Sequence, residues 1–368
     1  MKVIFMGTPD FAVGTLQALH AAGHNIVLAV TQPDRPKGRG KTLAASPVKE
    51  TAKKLGIPVY QPERVRRSEC VEYLRTFAPD VIVTAAFGQI LPQDILDIPV
   101  YGCVNVHASL LPKYRGAAPI QWAVINGETV TGVTTMLMDA GLDTGDILLQ
   151  EEITLDPKET GGSLFDRLST VGAELCVKTL DALAAGDLVP RKQEEAQATK
   201  VGLIDKSLGR IDWNLPAKKI ECLIRGLNPW PSAFTTLEGK TLKIWSAEVQ
   251  EEGMSDAGAQ NGGAQRENGK AVFRAKESGQ KDSLLNKNRG SELLQGESEG
   301  DANAREIPMH GAFLPGTVIR VTKDALFVQT GEGVLVLREV QIAGKKRMDC
   351  GAFLRGCPVK EGTVLSGG

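Results

Sequence analysis

A two-domain α/β protein, with a doubly wound sheet followed by a small β-barrel, is predicted by three features of the sequence. The chain has 368 residues, beyond the ~250 to 300 at which a single hydrophobic core stops growing. Its first 150 residues alternate β-rich runs with helical patterns, as strands joined by crossover helices do. From Lys240 onward the readable elements are all strands, separated by glycine-containing turns. Closure into a barrel leaves such strands without exposed edges.

In chain order, the apolar run Lys2 to Met6 predicts a first strand and Phe11 to Ala22 a helix of 3.6-residue period. Asn25 to Thr31 is the next strand. Ser46 to Leu55 is a helix, opened by a serine cap and a proline at its first turn. Val81 to Ala85, Gly102 to His107 and Gly132 to Asp139 complete the strands of the first sheet. Residues 192–207 lack a clear apolar period and are the expected linker between domains of 1–191 and 208–368. Thr241 to Glu248, Gly316 to Val321, Ala325 to Thr330 and Val334 to Gln341 are the expected barrel strands. Between them, 251–307 hold only eight residues of Val, Ile, Leu, Met or Phe. Such a stretch cannot bury enough apolar surface to order itself, and a disordered insertion is expected there.

The chain carries 43 basic and 44 acidic residues, a net charge of -1, so bulk charge names no nucleic-acid partner. Its distribution says more. Residues 201–250 and 308–368 together hold 15 basic and 10 acidic residues, a modest footprint for an anionic partner. Six scattered cysteines form no C-x-x-C pair, which suits a reducing compartment and offers no zinc frame. No run approaches 18 apolar residues, and Met1 leads directly into a strand. A cytoplasmic monomer without membrane contact is expected.

The first strand-to-helix turn, Gly7-Thr8-Pro9-Asp10-Phe11, has one glycine where a dinucleotide site needs G-x-G-x-x-G. Gly38-Arg39-Gly40-Lys41-Thr42 ends like a phosphate-binding P-loop, but Arg35 stands where that loop needs its first glycine. Nucleotide hydrolysis is therefore excluded. Thr31 to Lys49 nevertheless combines three prolines, two glycines and five basic residues. It reads as a stiff cationic loop able to meet phosphates, or as an ordinary solvated connection.

The most informative stretch is Gly102 to Gly116, GCVNVHASLLPKYRG. Side chains alternate along a strand, so Asn105 and His107 share one face while Val104 and Val106 share the other. Two polar groups near the C-terminal end of an otherwise apolar strand lie where such sheets bind ligands. The plain alternative is a hydrogen-bonded pair capping the strand. Asp139, Asp143 and Asp146 follow in and beside a glycine-containing loop, and one could meet the imidazole. An amide, an imidazole and a carboxylate together suit stabilising an oxyanion in acyl transfer. No serine or cysteine is evidently activated, so the attacking atom belongs to a substrate. The other histidines, His20, His24 and His310, show no metal-ligand spacing with His107, and no metal is expected.

These residues closely resemble those of the methionyl-tRNA formyltransferases, in the folate-dependent formyltransferase family. The resemblance is nearly full length: GTPDF at 7–11, TQPDRPKGRGK at 31–41, NVHASLLPKYRGAAPI at 105–120, LDTGDIL at 142–148, IDW at 211–213 and NPWP at 228–231. It implies a Rossmann-like formyltransferase domain followed by an OB-like β-barrel domain that binds tRNA. It implies that Asn105, His107 and Asp143 are catalytic, with Ser109, Leu110, Leu111 and Pro112 against the folate. It further implies that the loop of Arg35, Lys37, Arg39 and Lys41 meets the tRNA acceptor stem. The implied reaction moves the formyl group of 10-formyltetrahydrofolate to the α-amine of methionine on initiator tRNA, for translation initiation. A glycinamide-ribonucleotide-type formyltransferase would keep the three catalytic residues without explaining the basic loop. A noncatalytic RNA-binding protein would make the polar strand end incidental. Trp213 and Trp230 are read first as core residues near the domain junction, with nucleotide stacking as the alternative.

Overall fold

Strand β1 (Lys2–Gly7) is enclosed on both faces, with Val3 to Met6 fully buried, as a central parallel strand must be. The computed structural model describes residues 1–37, 42–250 and 313–366. Helix α1 (Asp10–Ala21) returns the chain to β2 (Asn25–Val30). The expected cationic loop then holds the base of a hairpin, β3 (Arg35–Lys37) and β4 (Thr42–Ala44). Ser46 caps α2 (Pro47–Lys54) as its sequence predicts, its Oγ accepting from the Lys49 N–H at 3.1 Å. Strand β5 (Val59–Tyr60), α3 (Ser68–Arg75), β6 (Val81–Ala85), α4 (Gln93–Leu96) and β7 (Cys103–His107) follow. The short β8 (Arg115–Gly116) and α5 (Pro119–Ile125) lead to β9 (Val130–Leu137) and β10 (Ile147–Thr154). The longest helix, α6 (Gly161–Ala185), lies outside the elements predicted from sequence. A Thr160–Ser163 capping box opens it and Gly186 closes it.

The sheet order is β10-β9-β7-β6-β1-β2-β5. Its centre is parallel, but β9 runs antiparallel to β7, and β10 antiparallel to β9. Val104 and Val106 face α1 and α6, in a core with Phe11, Leu16, Leu164 and Leu168. Cys103 lies on the opposite face, packed with Ile82, Val71 and Ile95 beneath α3 and α4. The sheet is thus covered on both sides, and the even members of β7 bury where alternation puts them.

Strand β11 (Lys200–Val201) pairs in parallel with β8. Helix α7 (Ala217–Gly226) then packs on a second sheet made of β12 (Ala233–Leu237), β13 (Lys240–Val249), β14 (Val318–Val321), β15 (Leu326–Gln329), β16 (Val334–Ile342) and β17 (Met348–Asp349). Helix α8 (Cys350–Gly356) ends the regular structure. The main order β12-β13-β16-β15-β14 leaves two edges. The chain's tail bridges them: the Thr236 and Ser366 backbones exchange hydrogen bonds of 3.0 and 3.1 Å, and the Leu365 N–H donates to the Gly316 carbonyl at 2.8 Å. This is the barrel closure that avoids open strand edges.

Trp213 is buried at 3% exposure in the barrel core, with Nε1 donating to Thr235 Oγ1 at 3.1 Å. Trp230 is not a core residue: it is 54% exposed. The turn that carries it ties its preceding Asn228 carbonyl to the Gly162 N–H at 2.9 Å and lays Pro229 against Gly162, which sends the indole outward. The expected insertion at 251–307, Arg39 and Lys41 lie outside the described residues.

Candidate active site

Asn105 and His107 project together from the end of β7, on the face opposite the Val104–Val106 core. Asn105 Oδ1 accepts from Thr84 Oγ1 at 2.8 Å, across the parallel pairing of β6 with β7. That bond occupies the carbonyl end of the amide. Among the described residues its Nδ2 meets no partner.

His107 is buried, and Nε2 lies 3.0 Å from the Tyr114 carbonyl. A carbonyl only accepts, so Nε2 carries a proton and Nδ1 is the nitrogen left for chemistry. Nδ1 lies 3.7 Å from Asp143 Oδ2, an ion-pair distance too long for a hydrogen bond. A water or a substrate group can span it. Asp143 Oδ2 also accepts the Gly116 N–H at 2.8 Å, whereas Oδ1 is unpartnered among the described residues. Among the described residues, the unpartnered side-chain polar atoms sealed from solvent are Thr15 Oγ1 and His24 Nε2. Asn105 Nδ2, His107 Nδ1 and Asp143 Oδ1 therefore stay reachable.

Topology selects Asp143 from the three candidate aspartates. Because β9 is antiparallel to β7, its end lies beside Val104, at the start of β7. The following loop must cross the sheet face to reach His107, and it delivers Asp143 there. Asp139 instead accepts from Thr144 Oγ1 at 2.7 Å and from the Gly141 N–H at 3.0 Å, closing the loop's own turn. Asp146 is bound through its backbone, its carbonyl accepting from the Leu137 N–H at 2.8 Å. Asp143 adopts the left-handed conformation at φ 54°, which short polar residues tolerate better than most.

The loop from Ala108 to Arg115 is fixed from behind. Ser109 Oγ donates to the Lys113 carbonyl at 2.7 Å, and Thr134 Oγ1 donates to the Ser109 carbonyl at 2.7 Å. Ser109 and Leu111 are buried, while Leu110 and Pro112 keep part of their surface. The connection between the domains packs onto this loop: the Arg115 N–H donates to the Thr199 carbonyl at 2.8 Å, and the Tyr114 N–H to Thr199 Oγ1 at 2.8 Å. Gly116 has φ 102°, and a Cβ there would lie 2.4 Å from the Val201 carbonyl oxygen. Only glycine fits between β11 and the Asp143 carboxylate.

At the cationic loop, Asp34 accepts from Lys49 Nζ at 2.6 Å and from Gln61 Nε2 at 2.8 Å. The Gln61 hydrogen bond, reinforced by Lys49, holds the Asp34 carboxyl below its usual range. Among the described residues, Arg35 reaches Gln32 Oε1 at 3.4 Å, and it is exposed; Lys37 ends β3.

Sequence reasoning passed over Thr84, Arg115 and Gln193. Arg115 is 1% exposed, its Nε donating to Gln193 Oε1 at 3.0 Å and its Nη1 to Glu195 Oε2 at 2.8 Å. A charged residue inside the KYRG stretch was the available signal for Arg115. None marks Gln193, which sits in a stretch without apolar period. Among the described residues, no group of three or more His, Cys, Asp or Glu side chains could hold a metal ion, and no helix is long and apolar enough to cross a membrane. A cavity of about 410 Å³ beside Arg210, Asp212, Trp213 and Val364 contains none of the cluster.

The formyl transferase family matches residues 1–180, and its C-terminal domain matches 203–279 and 284–358. Proteins named methionyl-tRNA formyltransferase from Agathobacter rectalis and Lachnospira eligens are each 50% identical to this chain. The first similarity spans 366 residues and 100% of both chains; the second spans 365 residues and 99% of both. Among solved structures, a sugar 3N-formyl transferase, WlaRD, crystallised in the presence of dTDP and 5-N-formyl-THF, superposes with a TM-score of 0.57. It is 16% identical and the match covers 94% of this chain and 99% of that one, which bears on the fold alone. The α/β domain, the antiparallel C-terminal domain and the full-length similarity agree: the chain belongs to the formyl transferase family and, within it, to the methionyl-tRNA formyltransferases.

Proposed function

We propose that this enzyme transfers the formyl group of 10-formyltetrahydrofolate to the α-amine of methionine esterified to initiator tRNA, for translation initiation. The observation that supports the reading is the meeting of three groups at one strand end: among the described residues Asn105 Nδ2 and Asp143 Oδ1 have no hydrogen-bond partner, and His107 Nδ1 lies 3.7 Å from Asp143 Oδ2. They supply what acyl transfer to an amine needs from a protein, namely donors for the developing oxyanion and an acceptor for the amine proton.

The folate cosubstrate supplies the activated one-carbon unit. Asn105 Nδ2 donates to the formyl oxygen as the neutral amine adds. Because Nε2–H is committed to the Tyr114 carbonyl, His107 donates from Nδ1 as the imidazolium, with Asp143 as its counter-ion. Asp143 also assists removal of the amine proton, and a proton is delivered to N10 as the bond from the formyl carbon to N10 breaks, the oxyanion collapses to the new amide and tetrahydrofolate leaves. Leu110 and Pro112 present the surface of the Ser109, Leu110, Leu111 and Pro112 loop to the folate. Arg35, Lys37, Arg39 and Lys41 meet tRNA phosphates. We assign this chemistry to residues 1–191 and much of the tRNA affinity to 208–368, joined by 192–207.

An acceptor competition tests the proposal. Charged initiator tRNA, its elongator counterpart and glycinamide ribonucleotide are offered together with 10-formyltetrahydrofolate. Formyl-methionine on the initiator tRNA is expected; product on glycinamide ribonucleotide, or tRNA binding without product, overturns it.

A further inference from the structure

We infer that Gln193, from the stretch joining the two domains, is a positioning residue for Asp143; the inference rests on the function proposed above. The Gln193 side-chain amide donates to two backbone carbonyls of the aspartate loop, Asp143 and Gly145, each at 2.8 Å. Its Oε1 accepts from Arg115 Nε at 3.0 Å. A guanidinium has only donors and a carbonyl only accepts, so the amide has one orientation that satisfies all three contacts. Arg115 is held in turn by Glu195, from the same joining stretch.

The aspartate loop needs such a clamp. Asp143 sits at φ 54°, and the neighbouring Leu142 is exposed, so apolar packing contributes little to holding the turn. A left-handed non-glycine residue is strained and persists where its surroundings over-determine it. Gly145 approaches so closely that a Cβ there would lie 1.8 Å from the Leu137 carbonyl oxygen. Two carbonyls two residues apart are therefore brought together, and one amide ties both.

The opposite side of Asp143 is gripped through the same stretch. Its Oδ2 accepts the Gly116 N–H, and Gly116 is paired with Val201 in β8 and β11. Residues 193–201 thus fix the catalytic carboxylate from its backbone side and its side-chain side. The segment leading to the C-terminal domain is part of the catalytic scaffold, and the aspartate is in register with His107 only while that segment is docked.

The test uses the full chain, charged initiator tRNA and 10-formyltetrahydrofolate, with wild type, Gln193→Met, Gln193→Glu, Asp143→Asn and the Gln193→Met/Asp143→Asn double variant. Methionine keeps the length and bulk of glutamine without its hydrogen bonds. Glutamate keeps the Arg115 contact and turns an acceptor toward both carbonyls. Gln193→Met should lower kcat by about 10- to 100-fold, as expected when a reacting group is displaced by around 1 Å. KM for both substrates should stay within about twofold of wild type and the circular dichroism spectrum should be unchanged, with the pH profile of kcat moving toward that of Asp143→Asn. Gln193→Glu should lose at least as much, and Gln193→Met should cost nothing further in the Asp143→Asn background. An unchanged kcat in both Gln193 variants overturns the inference, as does an equal loss with and without Asp143. Asp143→Asn at wild-type rate would instead remove Asp143 from the site, and a wild-type chain that does not formylate charged initiator tRNA would defeat the functional reading itself.

Discussion

Replacing Asn105 by alanine removes the amide whose nitrogen is unpartnered at the end of β7. Losing one donor to a developing oxyanion typically costs about 2.7 to 4 kcal/mol, or ~10² to 10³ in rate. Turnover should fall by that factor while KM for charged tRNA stays near its wild-type value, because the role proposed for Asn105 is at the formyl oxygen and not on the tRNA body. The structure adds a second, smaller perturbation. Thr84, 3% exposed, donates to Asn105 Oδ1 at 2.8 Å and so turns Nδ2 toward the site. Thr84→Val keeps the shape of the side chain and deletes the hydroxyl. Its effect is limited to that of one neutral hydrogen bond, about 0.5 to 1.5 kcal/mol, or roughly 2- to 12-fold in rate. Thr84 Oγ1 also lies 3.4 Å from the Val104 carbonyl and 3.2 Å from Met138 Sδ, so the loss should shrink in the Asn105→Ala background by the part that acts through the amide. Single-turnover formylation of charged initiator tRNA by the four proteins measures both effects. Unchanged turnover in Asn105→Ala would remove the amide from the mechanism, and an equal Thr84→Val loss in both backgrounds would refute the orientation argument.

Gly116→Ala places a Cβ 2.4 Å from the Val201 carbonyl oxygen at φ 102°. Stability should fall by at least about 1 to 3 kcal/mol, along with kcat; an unaltered urea midpoint would contradict the β8–β11 pairing. The two tryptophans should separate in the same measurement. Trp213→Ala should cost about 3 to 5 kcal/mol, as buried aromatic truncations do, whereas Trp230→Ala should stay within about 0.5 kcal/mol; equal losses would refute the burial difference. Burial pushes the Cys103 and Cys176 thiols up to about 12, so at pH 8 iodoacetamide should spare both in the native protein and label both after unfolding. The sign for stability follows: the unfolded thiols ionise first, so this contribution is present below pH 9 and is lost as pH rises toward 12. Rapid native labelling would show these thiols to be accessible. Arg39→Ala should depress transfer to charged tRNA and flatten its salt dependence; identical activity across salt concentrations would make the loop a connector only.

Local periodicity carried a large share of the fold. The apolar runs of β1, β2, β6 and β7, the Ser46 cap and the separation of Val104 and Val106 from Asn105 and His107 follow from rules spanning a few residues, and the structure keeps them. The same alternation picked out Asn105 and His107 as polar residues sharing one face. It could not choose among Asp139, Asp143 and Asp146, because that choice depends on β9 running antiparallel to β7 and on the loop crossing the sheet face. Nor could it separate the buried Trp213 from the exposed Trp230, since burial depends on what packs against a turn.

The residues that hold the site were hidden for the same reason. Gln193 reaches Asp143 across 50 residues, Arg115 reaches Gln193 across 78, and the tail closes the barrel by bonding back to β12. By itself the sequence determined the strands and first helices of the opening sheet, the polar strand end and the family, which depend on short-range pattern and on quoted motifs, but not α6. The tertiary structure decided which carboxylate meets the imidazole and what clamps it there. Those contacts join distant positions, and a hydrogen bond between them leaves no period in the chain.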